Sequence, residues 1–288
     1  VQTCALPIFI GDFNNWDGRL CQMHRLDPIG VFEIFVPGAV EFDGYQFEIK
    51  TRSGLVYKRP DPFAVESKGE NGVISVIRKP QQIVWTDEKW LAERRKFDFD
   101  EGALSICEIS LEAFAGRHGQ KSTMEEVTAD VLEYVQNHGF NTIELMPVMK
   151  HLPGHFYHIL DFFALDDSSG KIDEFMNFIN IMHNAGIRVI LDWVPTFFPK
   201  SSCGLSDFDG KALFEYEDSR IGILPKSGDL VFDYGRKEVS NFLITNALYW
   251  IENFHIDGLR TSDISRILYL DYDRKPGEWL PNIYGGNE

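Results

Sequence analysis

Acidic residues at the ends of predicted strands are the residues of this sequence best suited to chemistry. They are Glu108, Glu144, Asp192, Asp257 and Asp263. In a parallel βα fold the carboxyl ends of the strands converge on one rim, where barrel enzymes hold their active sites. Paired carboxylates handle a glycosidic oxygen and aromatic rings stack on sugar faces, so these acids suit sugar chemistry beside Tyr157, Trp193 and Phe197.

The same acids also have a purely structural interpretation. In it, Asp192 and Asp257 cap strand ends and form ion pairs with Arg260. The pattern alone leaves both interpretations open. A nucleotide-binding site and a serine hydrolase site have no motif to support them. No G-x-G-x-x-G follows a predicted strand, and no G-x-S-x-G is present.

One segment, HLPGHFYH, places His151, His155 and His158 at a spacing that superficially resembles a metal site. Pro153 and Gly154 break any helix that would align the three imidazoles. We therefore interpret the segment as a surface loop and predict no metal site.

Charge excludes further classes of partner. The 288 residues carry 28 Lys and Arg against 44 Asp and Glu, a net charge of -16. Residues 1–100 hold 13 basic and 15 acidic side chains, so residues 101–288 carry -14 of that charge. Such a field repels phosphate backbones and anionic lipid heads, so we expect no nucleic acid and no membrane as partner.

The start of the chain and its cysteines indicate origin and compartment. The first eight residues, VQTCALPI, resemble the translation of a sequencing adapter, so we expect them to be an artefact and the chain to be an internal fragment. The four cysteines include no C-x-x-C pair, which is typical of reduced, mostly buried thiols in a cytoplasmic protein. They are Cys4, Cys21, Cys107 and Cys203.

Hydrophobic periodicity divides the chain into three parts. Residues 9–80 alternate short apolar runs with turn signals, and period-two runs such as Val31, Glu33 and Phe35 predict an antiparallel, immunoglobulin-like β-sandwich. Residues 81–102 are predicted to be a charged connector, part of it a short helix. The aromatic Trp16 is either a platform for sugar or a core residue of the sandwich.

Residues 103–288 change to a strand–helix rhythm. The run LSICEI precedes the helical segment MEEVTADVLEYVQNHG, which Thr123 and Glu126 open as a capping box and Gly139 ends. The strands NTIELMP, IRVILDW and HIDGLR follow, separated by helical segments. Repeated βα units predict a parallel sheet covered by helices, and their spacing does not separate a closed barrel from an open sheet.

From about Phe9 to its last residue the sequence resembles the 1,4-alpha-glucan (glycogen) branching enzymes of the alpha-amylase superfamily, glycoside hydrolase family 13. GDFNNWDG and KRPDPFA resemble its family 48 carbohydrate-binding module, and AGIRVILDWVPTFFP resembles the first conserved region of the superfamily. FDYGRKEVSNFLITNALYWIENFHIDGLR resembles the approach to the second region, and DYDRKPGEWLPNIYGGNE the segment that follows it. The resemblance implies that residues 103–288 are the first half of a (β/α)8 TIM barrel.

The resemblance also implies a retaining double displacement that needs no cofactor. An Asp after the fourth barrel strand attacks the anomeric carbon, and a Glu after the fifth strand protonates the leaving oxygen. An Asp after the seventh strand stabilises the distorted sugar. A 6-hydroxyl of another glucan then takes the glucosyl group. Of these three carboxylates, only the position of the first falls within the present sequence.

The family's site residues map onto this sequence with several replacements. Arg260 matches the Arg two positions before the nucleophile, Ser262 stands at the nucleophile position, and Asp263 follows it as a possible substitute. The positions that match sugar contacts, or stand in their place, are Tyr157, Asp192, Phe197, which replaces a His, and Glu108.

Two hypotheses follow. The first is a branching enzyme, divergent or with Asp263 recruited, that acts on glycogen or a similar alpha-glucan. The second is a catalytically inactive relative that binds alpha-glucan, since a serine hydroxyl at position 262 needs an adjacent base and offers no charge to an oxocarbenium-like centre. The sequence as given, with half a barrel, is predicted to be inactive on its own, and its residues do not indicate an oligomeric state.

Overall fold

A computed structural model describes most of the chain. The described residues are 6–27, 30–51, 54–69, 73–80, 83–98, 102–117 and 122–288. Cys4 and the rest of residues 1–5 of the adapter-like segment lie outside them, whereas its last three residues belong to the first strand. No helix in the described ranges combines the length and apolar character that crossing a bilayer requires.

The N-terminal part is an antiparallel sheet centred on one strand. Strand β4 pairs with β1 along one edge and with β5 and β7 along the other, and β6 pairs with β7. The predicted all-β N-terminal part is therefore confirmed. The strands of this sheet are β1 (Leu6–Gly11), β4 (Gly44–Lys50), β5 (Val56–Arg59), β6 (Ser67–Lys68) and β7 (Ile74–Val76).

A small hairpin of β2 (His24–Leu26) and β3 (Val31–Glu33) accompanies this sheet. Val31 and Phe35, two residues of a period-two run that predicted the sandwich, have exposed side chains. The reason is that β3 pairs with β2 and ends at Glu33, so Phe35 lies beyond the strand. Trp16 is half-buried, and its indole N–H donates to Asp12 Oδ1 at 2.9 Å.

The second part contains a four-stranded parallel sheet. Its strands are β8 (Ile106–Ile109), β9 (Thr142–Leu145), β12 (Arg188–Trp193) and β15 (Gly258–Thr261). Within this sheet the strands are arranged side by side in the same order as along the chain, β8-β9-β12-β15. A doubly wound sheet reverses its order at a switch point, whereas a barrel does not. The strand order therefore favours the first half of a barrel.

Helices cover the outer face of this sheet. Thr123 and Glu126 open α3 with the predicted capping box, in which Glu126 Oε2 accepts from the Thr123 amide at 2.8 Å. Beyond the helix, Gly139 has a φ of +71°, a left-handed conformation that glycine adopts without strain. The helices after β8 are α2 (Leu111–Ala115), α3 (Met124–Asn137), α4 (Ile172–Asn184), α5 (Ser219–Gly222), α6 (Lys237–Asn253) and α7 (Ile264–Leu268).

Two excursions leave the sheet on the side of the strands' carboxyl ends. The first is a hairpin of β10 (Met149–Leu152) and β11 (His155–Leu165), so the interpretation of HLPGHFYH as a loop was wrong. Its Pro-Gly pair forms the turn, and both flanking stretches continue as strands. The second excursion follows β12 and includes β13 (Phe197–Phe198), which pairs with β14 (Leu230–Val231).

A buried arginine joins the N-terminal sheet to the second excursion. The side chain of Arg59, at the end of β5, donates to the backbone carbonyls of Ser202, Asp207 and Phe208 at 2.7–3.1 Å. Only 4% of Arg59 is exposed. The connector contributes α1 (Glu88–Arg94), the short helix that its sequence predicts. The two parts of the chain are therefore packed against each other through polar contacts.

Candidate active site at the carboxyl ends of the parallel strands

Asp192 is the centre of the site. It lies near the end of β12 and is 1% exposed. Its Oδ2 accepts from the Tyr157 hydroxyl at 2.6 Å and from Arg260 Nη1 at 2.8 Å. Its Oδ1 is buried and has no hydrogen-bond partner in the part of the chain that the structure describes. One oxygen of this carboxylate is thus held by the protein, and the other is unpaired.

Strand register brings these side chains together. In the parallel pair of β12 and β15, Asp192 is the register partner of Arg260. Side chains alternate along a strand, so Trp193 points away from Asp192. The Trp193 indole N–H donates to Asn246 Oδ1 on α6 at 2.8 Å, which removes Trp193 from the predicted set of sugar-stacking rings. Tyr157 reaches Asp192 from β11, whose hairpin follows β9.

Glu144 extends this group toward β9. Its Oε1 lies 3.8 Å from Arg260 Nε. Burial raises the pKa of the Glu144 carboxyl, and the nearby charges of Asp192 and Glu108 act in the same direction, while Arg260 opposes them. We call Tyr157, Asp192, Arg260 and Glu144 the central cluster. It combines two carboxyl groups, a fixed cation and a phenol, which are groups able to orient a hydroxylated ligand.

The phenol and the guanidinium of the central cluster each keep one protonation state near neutral pH. Burial, followed by the hydrogen bond to Asp192, raises the pKa of Tyr157 to about 12. The hydrogen bond to Asp192 raises the pKa of the Arg260 guanidinium. Tyr157 is therefore a donor and Arg260 a cation at any pH at which the protein is expected to work.

The predicted nucleophile position lies directly after β15. Ser262 is half-buried there and Asp263 is exposed. Asp263 opens α7 with a φ of +51°, in the left-handed region, and its Oδ2 lies 3.2 Å from Arg266 Nε. The predicted substitute nucleophile thus forms its ion pair with α7 rather than with the central cluster.

Two further predicted sugar contacts lie near the same rim. Phe197 is half-buried at the start of β13, with its ring centroid 5.9 Å from that of His158. Glu108 is exposed on β8 and is the register partner of Glu144. The structure therefore groups Tyr157 with the central cluster and places these two residues beside it.

Asp257 does not belong to this rim. It precedes β15 at the amino end of the strand, and it contacts Trp90, Arg94 and His183 rather than Arg260. The interpretation of Asp257 as an Arg260 partner was wrong, because Asp257 lies three residues before Arg260 on an extended chain and therefore further down the strand. For Asp192, the same structural alternative is right about the ion pair with Arg260.

Sequence reasoning did not connect His158 with Asp229. His158 Nε2 lies 3.3 Å from Asp229 Oδ1, and the Asp229 carboxylate is buried. The two residues are 71 positions apart, and no local pattern in the sequence links them. The sequence held one weak signal, since His158 directly follows Tyr157, a predicted sugar contact.

Within the described ranges, no three His, Cys, Asp or Glu side chains are grouped in a way that could hold a metal ion. The described cysteines are free thiols and half-buried, so the expectation of mostly buried thiols was wrong. They are Cys21, Cys107 and Cys203.

Comparison with known proteins agrees with this architecture. Residues 8–64 match the carbohydrate-binding module 48 (isoamylase N-terminal domain), and residues 116–202 match the alpha amylase catalytic domain. The 1,4-alpha-glucan branching enzyme GlgB of Nitrosococcus oceani is 40% identical over 283 residues, which are 97% of this chain. The chain belongs to the 1,4-alpha-glucan branching enzyme family. The GlgB of Gloeobacter violaceus, another relative, is 42% identical over 285 residues.

The chain spans 38% of the length of the Nitrosococcus relative and 39% of the Gloeobacter relative. A solved structure of similar fold is that of pullulanase type I from Bacillus subtilis, complexed with maltose. It covers 92% of this chain with a TM-score of 0.68 and 24% identity, and this chain covers 41% of it. At that identity the likeness concerns the fold, an N-terminal β-sandwich followed by the first half of a barrel. The expected family and fold class are both confirmed.

Proposed function

We propose that this protein binds alpha-glucan, a glycogen- or amylose-like chain, at the central cluster. Asp192 is the observation that carries the proposal. Its carboxylate is buried and held through Oδ2, while Oδ1 lacks a partner among the described residues. A buried acceptor without a donor costs free energy, and a sugar hydroxyl would supply the donor. The module 48 match and the names of the relatives support this ligand class.

The reaction proposed for the whole protein is transfer of alpha-1,4-glucan segments to 6-hydroxyls in glycogen biosynthesis. In this chain Arg260 and Asp192 would orient the sugar, with Tyr157, Phe197 and Glu108 around it. Ser262 would stand under the anomeric carbon without the charge that an oxocarbenium-like centre needs, which removes on the order of 10³ or more in rate.

A second candidate function is therefore a glucan-binding relative without transferase activity. The observation that favours it is the position of Asp263, which is exposed and paired with Arg266 on α7. We propose this second candidate for the wild-type sequence, and branching activity for a variant that regains a carboxylate at position 262.

The proposal includes the organisation of the chain. Residues 9–80 form the carbohydrate-binding module, 81–102 the connector and 103–288 the N-terminal half of the catalytic barrel, with residues 1–8 an adapter artefact. We propose a cytoplasmic location and no role for nucleic acid or membranes, supported by the free thiols and the charge of -16.

Glucan binding is tested on the chain itself. Affinity electrophoresis in gels that contain glycogen should retard the protein, and isothermal titration calorimetry should detect maltoheptaose. Cellohexaose, a β-linked glucan, is the control ligand and should not bind. Equal binding of the two oligosaccharides, or of neither, would contradict the proposal.

Transfer activity is tested on the product of the whole gene. Branching of amylose lowers its iodine absorbance, so wild type, Ser262→Asp and Asp263→Asn are compared in that assay. We expect no activity in the wild type or in Asp263→Asn and a measurable gain in Ser262→Asp. Wild-type activity that disappears in Asp263→Asn would overturn the choice of the second candidate.

A further inference from the structure

A second group of polar and aromatic side chains lies beside the central cluster, near the turn of the β10–β11 hairpin. We call His155, His158, Phe197 and Asp229 the rim cluster. The His158 ring packs edge-on against the rings of His155 and Phe197, with centroids 5.1 and 5.9 Å away. Its side chain is 29% exposed, whereas that of Asp229 is 8% exposed. The rim cluster is thus an imidazole at the surface supported by a buried carboxylate.

The carboxylate determines which ring nitrogen faces outward. Asp229 Oδ1 lies 3.3 Å from His158 Nε2, and an ionised carboxylate only accepts hydrogen bonds. In the uncharged form of the ring, a proton on Nε2 faces that carboxylate, whereas a proton on Nδ1 would leave two acceptors in contact. Nδ1 is left as an acceptor, and the structure gives it no hydrogen bond to the described part of the chain. A hydroxyl is a suitable donor for such a nitrogen.

The position of His158 connects the two clusters. Tyr157 and His158 are consecutive on β11, and consecutive side chains of a strand point to opposite sides. Tyr157 bonds to Asp192, while His158 faces Phe197 and Asp229. A ligand long enough to cross this strand would contact both. A single glucose unit at Asp192 would need only the first.

We propose that His158, oriented by Asp229, is a specificity-determining residue that accepts a hydrogen bond from a hydroxyl of the bound glucan. Phe197 supplies the apolar wall beside it. The inference rests on the proposed binding of glucan at the central cluster, and it adds a contact one residue further along β11. Asp229 acts through His158 and is a positioning residue.

Binding of maltoheptaose to the full chain, measured by isothermal titration calorimetry, tests the inference. His158→Ala should weaken affinity by roughly three- to tenfold, the range of one neutral hydrogen bond. His158→Gln keeps a hydrogen-bonding amide and should recover most of that loss. Asp229→Asn should lower affinity less than His158→Ala, because the imidazole remains.

His138→Ala is the control, since His138 is exposed at the end of α3 and lies outside both clusters. It should bind as the wild type does. Circular dichroism and urea midpoints establish that each variant is folded. If the wild type binds and His158→Ala binds equally well, or if His158→Gln is as weak as His158→Ala, this inference is overturned. If the wild type binds no alpha-glucan, the proposed function itself fails.

Discussion

Two buried aspartates at opposite ends of the parallel sheet show how the same residue serves different purposes. Asp257 lies at the amino end of β15, and both of its oxygens are satisfied. Oδ1 accepts from Trp90 Nε1 at 2.9 Å and from Arg94 Nη1 at 3.0 Å. Oδ2 accepts from the Val189 amide at 2.8 Å and lies 3.1 Å from His183 Nε2. Asp192, at the other end, has one oxygen without a hydrogen-bond partner among the described residues.

The two ends of the parallel sheet differ in what their aspartates do, one for stability and the other for binding. In barrels the amino face of the sheet is associated with stability and the carboxyl face with activity. Asp257 ties the connector helix α1 to α4 and to β12, and His183 continues this network to Asp87 at 2.8 Å. Asp192 joins only residues near the rim. A carboxylate whose bonds are complete stabilises the fold, and one that keeps an oxygen free can bind a ligand.

The largest effect is expected from Asp257→Ala. It leaves Arg94 without its carboxylate and His183 with Asp87 alone, and removal of one partner from a buried ion pair costs about 3–5 kcal/mol. That is a large share of the about 5–15 kcal/mol that holds an ordinary domain folded. Urea unfolding followed by circular dichroism measures the loss. An unfolding free energy within about 1 kcal/mol of wild type would show that Asp257 is not the structural partner.

Low pH should weaken the same network and cost less stability than Asp257→Ala does. Burial opposes ionisation of Asp87 and Asp257, but hydrogen bonds from histidines lower the pKa of both below 3.8. Their contribution to stability is present above about pH 4 and is lost as the pH falls through the lower, folded-state pKa values. Urea midpoints between about pH 2 and 5 should show this loss. Asp257→Asn should flatten it, and an unchanged pH profile in that variant would contradict the assignment.

Asp192→Ala should reduce glucan binding more than stability, in contrast to Asp257→Ala. It removes two hydrogen bonds to a charged group, and we expect a loss of about 1–3 kcal/mol in the free energy of unfolding. Arg260 remains 43% exposed and can be solvated, which limits the cost. Glucan affinity should fall by more than about tenfold. Unchanged affinity in folded Asp192→Ala would place the ligand elsewhere.

Local sequence patterns predicted the elements well because their causes are local. The capping box of Thr123 and Glu126 and the stop at Gly139 lie within one helix, and the parallel strands are short apolar runs. The strand-end pattern singled out Asp192, with Tyr157 and Arg260 near it, and the resemblance to a known family matched them to site positions. Register then decided which of them meet, and register depends on the whole sheet.

The sequence did not predict contacts between segments that are far apart along the chain. Arg59 bonds to Phe208, 149 positions away, and a charged residue at a strand end gives no sign of such a partner. Asp257 and Asp192 both lie near strands, and only the direction of β15 shows that they occupy opposite ends of the sheet. The same applies to His158 and Asp229, whose pairing depends on the path of the second excursion.

The smallest effect is expected from Tyr157→Phe, which removes one hydroxyl from Asp192. We expect a loss of about 1 kcal/mol at neutral pH, since Arg260 still holds Oδ2. The phenol pKa is about 12 in the folded protein against 10 as the ordinary value, so the unfolded chain loses this proton first. The contribution of Tyr157 is therefore present below about pH 10 and is lost as the pH rises to about 12. Urea midpoints of wild type and Tyr157→Phe should converge across that range. A constant difference would mean that the hydroxyl does not donate to Asp192.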